Sequence, residues 1–268
     1  MGVRRITDDH SSSSAEPIVV ARGLRRTYVR PDHSDVHALD GVDLDVYRGQ
    51  VTVIAGPSGS GKSTLLQVLA GLDRPDEGSV TIGRQSITGG GDEKLARLRR
   101  RHIGFVFQSF NLIDSLSARD NIALPIQIDG RKVDEPRLES LAASLGMVDR
   151  LDHFPHQLSG GQQQRIAVIR ALLADPDVVF ADEPTAALDP ASVELMISML
   201  ETVAHEHGHA VVAISHDPAV AARGDKVYEM TEGKLTLVAN RVVATTVASA
   251  SPTREFEPAQ ISGATTTP

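Results

Sequence analysis

The stretch GPSGSGKS, from Gly56 to Ser63, constrains this chain more than any other. It follows the β-branched run VTVIA and precedes the helix-prone TLLQVLAG. Its glycines allow a tight turn whose backbone N–H groups face a phosphate at the positive end of the following helix. In this strand-to-helix context the pattern G-x-x-x-x-G-K-[ST] predicts a nucleotide phosphate site, and a chance glycine turn is the alternative.

Two residues of this loop have specific expected roles. Lys62 is expected to reach the β- and γ-phosphates of a nucleotide, and Ser63 to ligate Mg²⁺ through its hydroxyl. Because such a loop surrounds the phosphates with its backbone, its other residues are expected to add contacts. The residues expected to contact the nucleotide are Gly56, Pro57, Ser58, Gly59, Ser60, Gly61, Lys62, Ser63 and Thr64.

The composition narrows the class of protein. Its 268 residues are 41 % hydrophobic, which is enough to bury a core, and no window approaches 18 consecutive apolar residues. The absence of cysteine excludes disulfides and thiolate metal sites. A net charge of −8 argues against nucleic-acid binding, since duplex recognition needs clustered Lys and Arg. These features predict a cytoplasmic protein that reaches a membrane only through a partner.

Along the chain, the pattern predicts one globular domain between two disordered ends. Residues 1–16 include four consecutive serines, and residues 241–268 are rich in Ala, Thr, Ser and Pro. Both ends offer too little apolar surface to offset the entropy of ordering. Residues 17–240 are predicted to form the domain, with an inserted helical subdomain at about 109–165.

Strand and helix patterns alternate through this domain. The early runs IVVARGL, VHALDGVDLDV and GSVTIG suggest a small antiparallel β-layer beside the phosphate loop. The later runs HIGFVFQ, VVFA and AVVAIS are short buried strands separated by helical segments, and two strands flank the turn at Glu232 and Gly233. This alternation indicates an α/β fold with a mostly parallel sheet.

A second candidate phosphate-site element is VVFADE, in which a buried strand delivers Asp182 and Glu183 to its carboxyl end. In open α/β sheets, ligands bind at that end of the strands. Asp182 is expected to associate with Mg²⁺, and Glu183 to act as the base that orients or deprotonates the attacking water. A strand-end acidic pair alone is often only a solvated turn, but its place downstream of a phosphate loop strengthens the functional interpretation.

A third element is LSGGQ, Leu158 to Gln162, at the start of a helix. Ser159 is a typical N-cap residue, and Gly160 and Gly161 expose backbone N–H groups at a positive helix end. A simple capped helix is the alternative interpretation. Since the chain already carries one anion-binding helix start, the presence of a second suggests that two chains share two nucleotides.

Together these motifs resemble the nucleotide-binding subunits of ATP-binding cassette (ABC) transporters over about residues 17–238. The resemblance implies an α/β fold with a P-loop NTPase (RecA-like) core, an antiparallel β-subdomain and an inserted α-helical subdomain. The motifs occur in the family's order: Walker A at 56–63, the Q-loop residue Gln108, the signature at 158–162, Walker B with Asp182 and Glu183, the D-loop at 187–189, and the switch residue His216.

The family resemblance implies a head-to-tail dimer in which the signature of one subunit caps the γ-phosphate on the Walker A loop of the other. It assigns Tyr28 to adenine stacking, whereas the residue alone could equally be core. It places Asp189 of the D-loop at the nucleotide, His216 at the γ-phosphate and Gln108 at Mg²⁺ or water. Read alone, His216 would be a surface turn residue and Gln108 an ordinary strand-closing residue.

The implied function is an ATP-hydrolysing motor, peripheral on the cytoplasmic face of the membrane, that drives a separately encoded permease. GFVFQSFNL, DNIALPI and LSGGQQQR are most similar to the branch of lipoprotein-releasing, macrolide-exporting and cell-division ATPases. One alternative is a motor for mechanical signalling without transport, and another is a soluble ABC ATPase. A generic P-loop kinase is disfavoured, because LSGGQ would then have no purpose.

Apolar residues are concentrated around Gln108. Strand alternation predicts that Phe105 and Phe107 share one core face, and the family's permease-docking cleft is expected at Phe110, Leu112 and neighbouring Ile113. Exposed apolar residues in a loop often mark a partner site. The hypothesis is that a short cytoplasmic helix of the permease packs on Phe110 and Leu112, and that Gln108 links this contact to Mg²⁺.

Overall fold

The computed structural model describes residues 16–29, 35–89, 91–186, 188 and 190–241, with only the backbone for residues 190 and 191. Nearly all of the predicted disordered leader and tail lies outside these residues. The described segments contain ten strands: β1 Val19–Val29, β2 Asp35–Val46, β3 Val51–Ala55, β4 Glu77–Ile82, β5 Gln85–Ser86, β6 Ile103–Val106, β7 Val178–Asp182, β8 Ala210–Ile214, β9 Lys226–Thr231 and β10 Lys234–Asn240.

Seven α-helices occur in the same segments. They are α1 Lys62–Leu69, α2 Asp92–His102, α3 Ala118–Ile128, α4 Glu135–Ser144, α5 Gly160–Leu173, α6 Pro190–Glu201 and α7 Pro218–Arg223. None of the helices described is long and apolar enough to span a bilayer.

The strands form two sheets, as the sequence pattern predicts. The central sheet has the order β10-β9-β3-β8-β7-β6, in which all neighbours are parallel except the edge pair β10 and β9. The second sheet, of order β2-β1-β4-β5, is antiparallel. The α/β class with an antiparallel β-layer is therefore confirmed.

The central strands are buried on both faces, and their alternation divides the apolar interior into two clusters. Along β3, Val53 packs in the cluster that includes α5 and α6, whereas Ile54 packs in the cluster that includes α1 and the antiparallel sheet. The same period of two divides Val179 from Phe180 along β7. Burial on both faces explains why these strands read as continuous apolar runs in the sequence.

Two boundaries differ from the sequence prediction. The strand expected to end at Gln108 stops at Val106, because the chain turns there and Phe110 donates its N–H to the Phe107 carbonyl. The helix expected to run from Pro190 to His205 is α-helical only as far as Glu201. It continues as a π-helical turn, Thr202–Glu206, a wider winding that apolar periodicity does not distinguish.

Candidate functional site

The candidate site lies at the carboxyl edge of the central sheet. In the strand register Ile54 of β3 lies beside Ile214 of β8, which lies beside Asp182 of β7. The phosphate loop, His216 and Glu183 therefore leave three adjacent strands on the same side. Since strands lie about 4.8 Å apart, this edge brings together residues that are far apart in the sequence.

The phosphate loop has the backbone that its glycines predict. Gly56 and Gly61 have φ of 146° and 107°, values that favour glycine. A Cβ atom on Gly56 would lie 2.3 Å from the Met230 carbonyl oxygen, and one on Gly61 would lie 2.1 Å from that of Ala38. Strands β9 and β2 thus press against the loop from two sides, and only glycine fits at both positions.

Lys62 closes the loop on itself. Its ammonium Nζ donates to the carbonyl oxygens of Gly56 and Pro57, at 2.9 and 2.8 Å, and the residue is buried at 8 % exposure. These bonds hold the Lys62 ammonium over the turn of the loop. A cation at the positive end of α1 is well placed to bind a polyphosphate.

The rest of the loop leaves α1 open to an anion. Helix α1 has Gly61 as its N-cap and no capping side chain, so the first backbone N–H groups are left for a ligand. Ser63 is exposed at the helix start, and the buried Ser60 hydroxyl has no hydrogen-bond partner in the structure as described. Of the remaining expected contacts, Pro57, Ser58 and Gly59 are exposed and Thr64 is half-buried.

Asp182 and Glu183 lie where the sequence predicts, but in different environments. Burial raises the pKa of Asp182, the nearby Glu183 carboxylate raises it further, and Lys62 opposes both effects. Within the described segments no side chain forms a hydrogen bond or ion pair with the Asp182 carboxylate. A half-buried carboxylate of this kind suits a cation.

Glu183 is tied to His216. Glu183 Oε2 lies 2.9 Å from His216 Nδ1, and its backbone N–H donates to the Ile214 carbonyl. Its φ of 46° is left-handed, an unfavourable conformation for a non-glycine residue that often occurs at functional sites. The two predicted catalytic residues from β7 and β8 therefore contact each other directly.

The donor chemistry fits Mg²⁺ at this edge. Mg²⁺ prefers oxygen ligands and is usually held by one or two protein oxygens together with substrate phosphates. The Ser63 hydroxyl lies at the start of α1, which follows β3, and the unpaired Asp182 carboxylate ends β7, with β8 between these two strands. Gln108 follows β6 at the same edge. Among the described residues, no group of three His, Asp or Glu side chains could hold a metal ion by itself.

The signature residues form the capped helix start that the sequence predicts. Ser159 Oγ accepts from the Gln162 N–H at 3.3 Å, and Gln162 Oε1 accepts from the Ser159 N–H at 2.8 Å. Ser159 and Gly160 are exposed, whereas Gly161 is half-buried near Ser192. In the described residues no hydrogen bond or ion pair joins this helix start to the phosphate loop.

Tyr28 lies beside the phosphate loop on the β-layer. It is paired with Val36 of β2, two residues from Ala38, whose carbonyl faces Gly61. Its side chain is 38 % exposed, so the alternative that Tyr28 belongs to the core is wrong. Its hydroxyl donates to Asp73 Oδ2 at 2.7 Å.

Gln108 and the apolar residues around it differ in how far they are exposed to solvent. Gln108 is exposed, and Phe105 and Phe107 stack with ring centroids 4.1 Å apart, as alternation predicts. Phe110 and Leu112 are half-buried, however, and Leu112 packs on the core, so the expected apolar surface is largely reduced to the neighbouring Ile113, at 44 % exposure. Asp189, the expected D-loop contact, lies outside the described residues.

Sequence reasoning missed the residues that support the site from behind. Asp225, 4 % exposed, accepts from the Val51 N–H at 2.7 Å and from His205 Nε2 at 2.8 Å, and so fixes the start of the phosphate-loop strand. Arg26 covers the Tyr28 ring, with the guanidinium carbon 4.8 Å from the centroid. The Asp225 contacts join segments that are distant in the sequence, so no local pattern signals them. Arg26 and Tyr28 lie two residues apart on β1, on the same face of the strand, and alternation could have paired them.

Comparison with known proteins identifies a family. Residues 39–186 match the family described as ABC transporter. The chain is 43 % identical over 250 residues to the macrolide export ATP-binding/permease protein MacB of Rhodopseudomonas palustris, which covers 92 % of this chain and 37 % of that protein. The chain thus spans about a third of the length of the MacB relatives.

Two further similarities extend over whole proteins. The lipoprotein-releasing system ATP-binding protein LolD of Chromohalobacter salexigens is 40 % identical over 230 residues, covering 85 % of this chain and 97 % of LolD. A dimeric structure of the ATP-binding cassette MJ0796, in a post-hydrolysis state bound to ADP and Pi, has a TM-score of 0.76 at 36 % identity. It covers 84 % of this chain and 99 % of the other.

Proposed function

This chain belongs to the ABC transporter family of ATP hydrolases, and on that basis we propose that it is the motor subunit that powers a separately encoded transmembrane permease. ATP with Mg²⁺ is the proposed ligand of the sheet edge. The similarity to MacB and LolD supports the branch suggested by the sequence.

The observation that carries the proposal is the grouping of a cation, two carboxylates and a histidine at one sheet edge. Lys62 is poised to bind the phosphates, and Asp182 with Ser63 would hold Mg²⁺, which neutralises charge on the phosphates. Glu183, kept in place by His216, would accept the proton of the attacking water. This division of roles assigns a separate chemical task to each residue.

We further propose that hydrolysis needs two subunits. The open start of α1 binds phosphates in its own chain, whereas the start of α5 is exposed and shares no described hydrogen bond with the loop. The similar cassette MJ0796 is dimeric with ADP and Pi. A head-to-tail dimer would place Ser159 and Gly160 of one subunit on the γ-phosphate of the other, and its closing and opening would drive the permease.

The permease contact is proposed at the loop that follows Gln108. Ile113 supplies exposed apolar surface there, and Gln108 precedes it by five residues at the sheet edge. A permease helix on this loop would hold the motor on the cytoplasmic face of the membrane. In this proposal, Gln108 reports the state of the site to the permease.

Mixing two inactive variants tests the shared sites. Ser159→Arg blocks the signature and Lys62→Ala disables the loop, so neither homodimer has an intact composite site. A mixed dimer has one intact composite site out of two, because each site takes its loop from one subunit and its signature from the other. ATPase activity should peak near equal mixing, at roughly one quarter of the unmodified level.

Dimer formation is the control for this experiment. Each variant carries a different affinity tag, and sequential purification establishes that mixed dimers form in ATP. Activity that never rises above that of the parents, with mixed dimers present, would contradict the proposal that two subunits share each site.

A further inference from the structure

We infer that Arg170 is a positioning residue that fastens the segment after Gln108 to the helix that begins at the signature. The inference rests on the proposed function, because it concerns how two parts of that site move together. Arg170 lies on α5, the same helix whose first residue is Gly160. No motif of the sequence singled it out.

The contacts of Arg170 are specific. Its Nη1 donates to the Asn111 carbonyl oxygen at 2.6 Å, and its Nη2 donates to the Phe110 carbonyl oxygen at 2.7 Å. Phe110 and Asn111 have φ of 60° and 49°, so two consecutive non-glycine residues adopt the left-handed conformation. Such a turn is unfavourable by itself, and it persists where surrounding contacts hold it.

The Arg170 guanidinium is partly buried and donates to backbone carbonyls without pairing with a described carboxylate. Burial lowers its pKa, and no carboxylate in the described part of the chain forms an ion pair with it. Shielded arginines are usually paired with an acid. Here the planar guanidinium is directed at two neighbouring carbonyl oxygens, which it bonds more strongly than a neutral donor would. The geometry therefore indicates that Arg170 holds this turn and does not serve to neutralise an acidic side chain.

A second contact joins the same segment to the start of α5. The Cζ atom of the Phe110 ring lies 4.0 Å from the position that a Cβ on Gly160 would occupy. At the far end of the loop, Asn121 accepts from the Ile113 N–H at 2.7 Å and donates to the Ile113 carbonyl at 3.1 Å. The segment is thus fixed along its length, and a displacement of the loop moves the signature with it.

Hydrogen exchange on the full chain tests the contact directly. Arg170→Met removes both hydrogen bonds and keeps a long apolar side chain. We expect amide exchange at 110–113 to rise about tenfold or more, as for losing a charge-assisted hydrogen bond. Arg137→Met is the matched control, since Arg137 bonds Leu172 and Asp175 in the same helical layer and does not contact this loop.

A functional readout separates positioning from general stability. If Arg170 places Gln108, Arg170→Met should raise the Mg²⁺ concentration for half-maximal ATP hydrolysis, as Gln108→Ala should. The double variant should then add little, and Arg170→Lys, which keeps the charge, should recover part of the effect. Arg137→Met should not shift the Mg²⁺ requirement.

The outcomes divide cleanly. Unchanged exchange at 110–113 in Arg170→Met overturns the inference, and if that variant does not fold, unchanged exchange in Arg170→Gln, which also removes the charge and shortens the side chain, overturns it equally. Increased exchange supports it. A Gln108→Ala variant with normal Mg²⁺ dependence would refute the role proposed for Gln108, and the exchange result would still decide whether Arg170 fastens the loop.

Discussion

Helices α1 and α5 both have glycine at or next to their first residue, and we propose that both starts bind phosphate, yet the two starts are built in opposite ways. Helix α1 begins at Gly61, in a left-handed conformation with no side-chain cap. Helix α5 begins after Ser159, which forms a reciprocal capping box with Gln162. The first start is left open for a ligand, whereas the second is satisfied by its own chain. We interpret this difference as follows: the start of α1 binds a nucleotide within its own subunit, whereas the start of α5 contacts a nucleotide bound to another subunit.

The glycines at the two helix starts, Gly61 and Gly160, also differ in the space around them. A Cβ on Gly61 would collide with the Ala38 carbonyl, whereas the Cβ position of Gly160 meets nothing closer than the Phe110 ring at 4.0 Å. Gly61 is therefore required by the subunit itself. Gly160 has room for a methyl group within one subunit, so the fold does not require glycine there, and the proposed contact with a partner's phosphate would account for it.

The largest expected effect concerns Glu183, the proposed base beside the phosphate loop, which has no counterpart proposed at the start of α5. Glu183→Gln should lower ATP turnover by about 100-fold or more, because the amide cannot accept the proton of the attacking water. Binding of ATP should persist, and the variant should accumulate as an ATP-bound dimer, measured by size-exclusion chromatography. Near-normal turnover would place the base elsewhere.

The paired glycine variants Gly61→Ala and Gly160→Ala come next. Gly61→Ala should weaken binding of a fluorescent ATP analogue by about tenfold or more, since both the collision and the positive φ disturb the loop. Gly160→Ala should leave binding by the isolated subunit unchanged and lower hydrolysis only where dimers form. Equal effects of the two substitutions on binding would remove the distinction between the helix starts.

A smaller effect is expected from the cap. Ser159→Ala should lower the free energy of unfolding by about 1 kcal/mol, because it removes the N-cap bond to Gln162. Ser63→Ala should do the reverse: it should leave urea unfolding unchanged and weaken Mg²⁺-dependent nucleotide binding. If Ser159→Ala leaves stability unchanged, the capping box contributes nothing to holding α5.

The smallest expected effect depends on pH. Because burial raises the pKa of Asp182 in the folded chain, its charged form is disfavoured there, and its contribution to stability falls as pH rises above the ordinary value. Asp182→Asn should therefore be more stable than the parent at pH 7 without nucleotide. The difference should disappear below about pH 3, where both states protonate the carboxyl. Urea unfolding of both proteins over a series of pH values checks the difference expected at pH 7 and its loss at low pH.

The sequence predicts the parts of the site that depend on neighbouring residues. The loop from Gly56 to Ser63 and the capped start at Ser159 are local patterns whose backbone requirements are visible in residue types. The acidic pair at the end of β7 is predicted by a buried run followed by charge. Strand alternation places Val53 and Ile54 on opposite faces without any knowledge of their partners.

Contacts between distant segments could not be predicted in this way. Arg170 meets Phe110 across 60 residues, and Asp225 meets Val51 across 174. The early end of β6 at Val106 coincides with a left-handed turn of two non-glycine residues, Phe110 and Asn111, which no residue type in this stretch marks. The π-helical turn is likewise invisible to apolar spacing.

The position of β3 between β8 and β9 has a consequence for how the protein is made. Val51 pairs with Val211, and Val53 pairs with Val227. A ribosome that has already produced the phosphate loop and the entire signature helix has delivered neither strand that flanks the loop. Such non-local pairing slows folding and leaves apolar strand edges uncovered in the meantime. The nascent chain therefore carries its nucleotide motif until β8 and β9 have been synthesised, and only then can the pocket around that motif close.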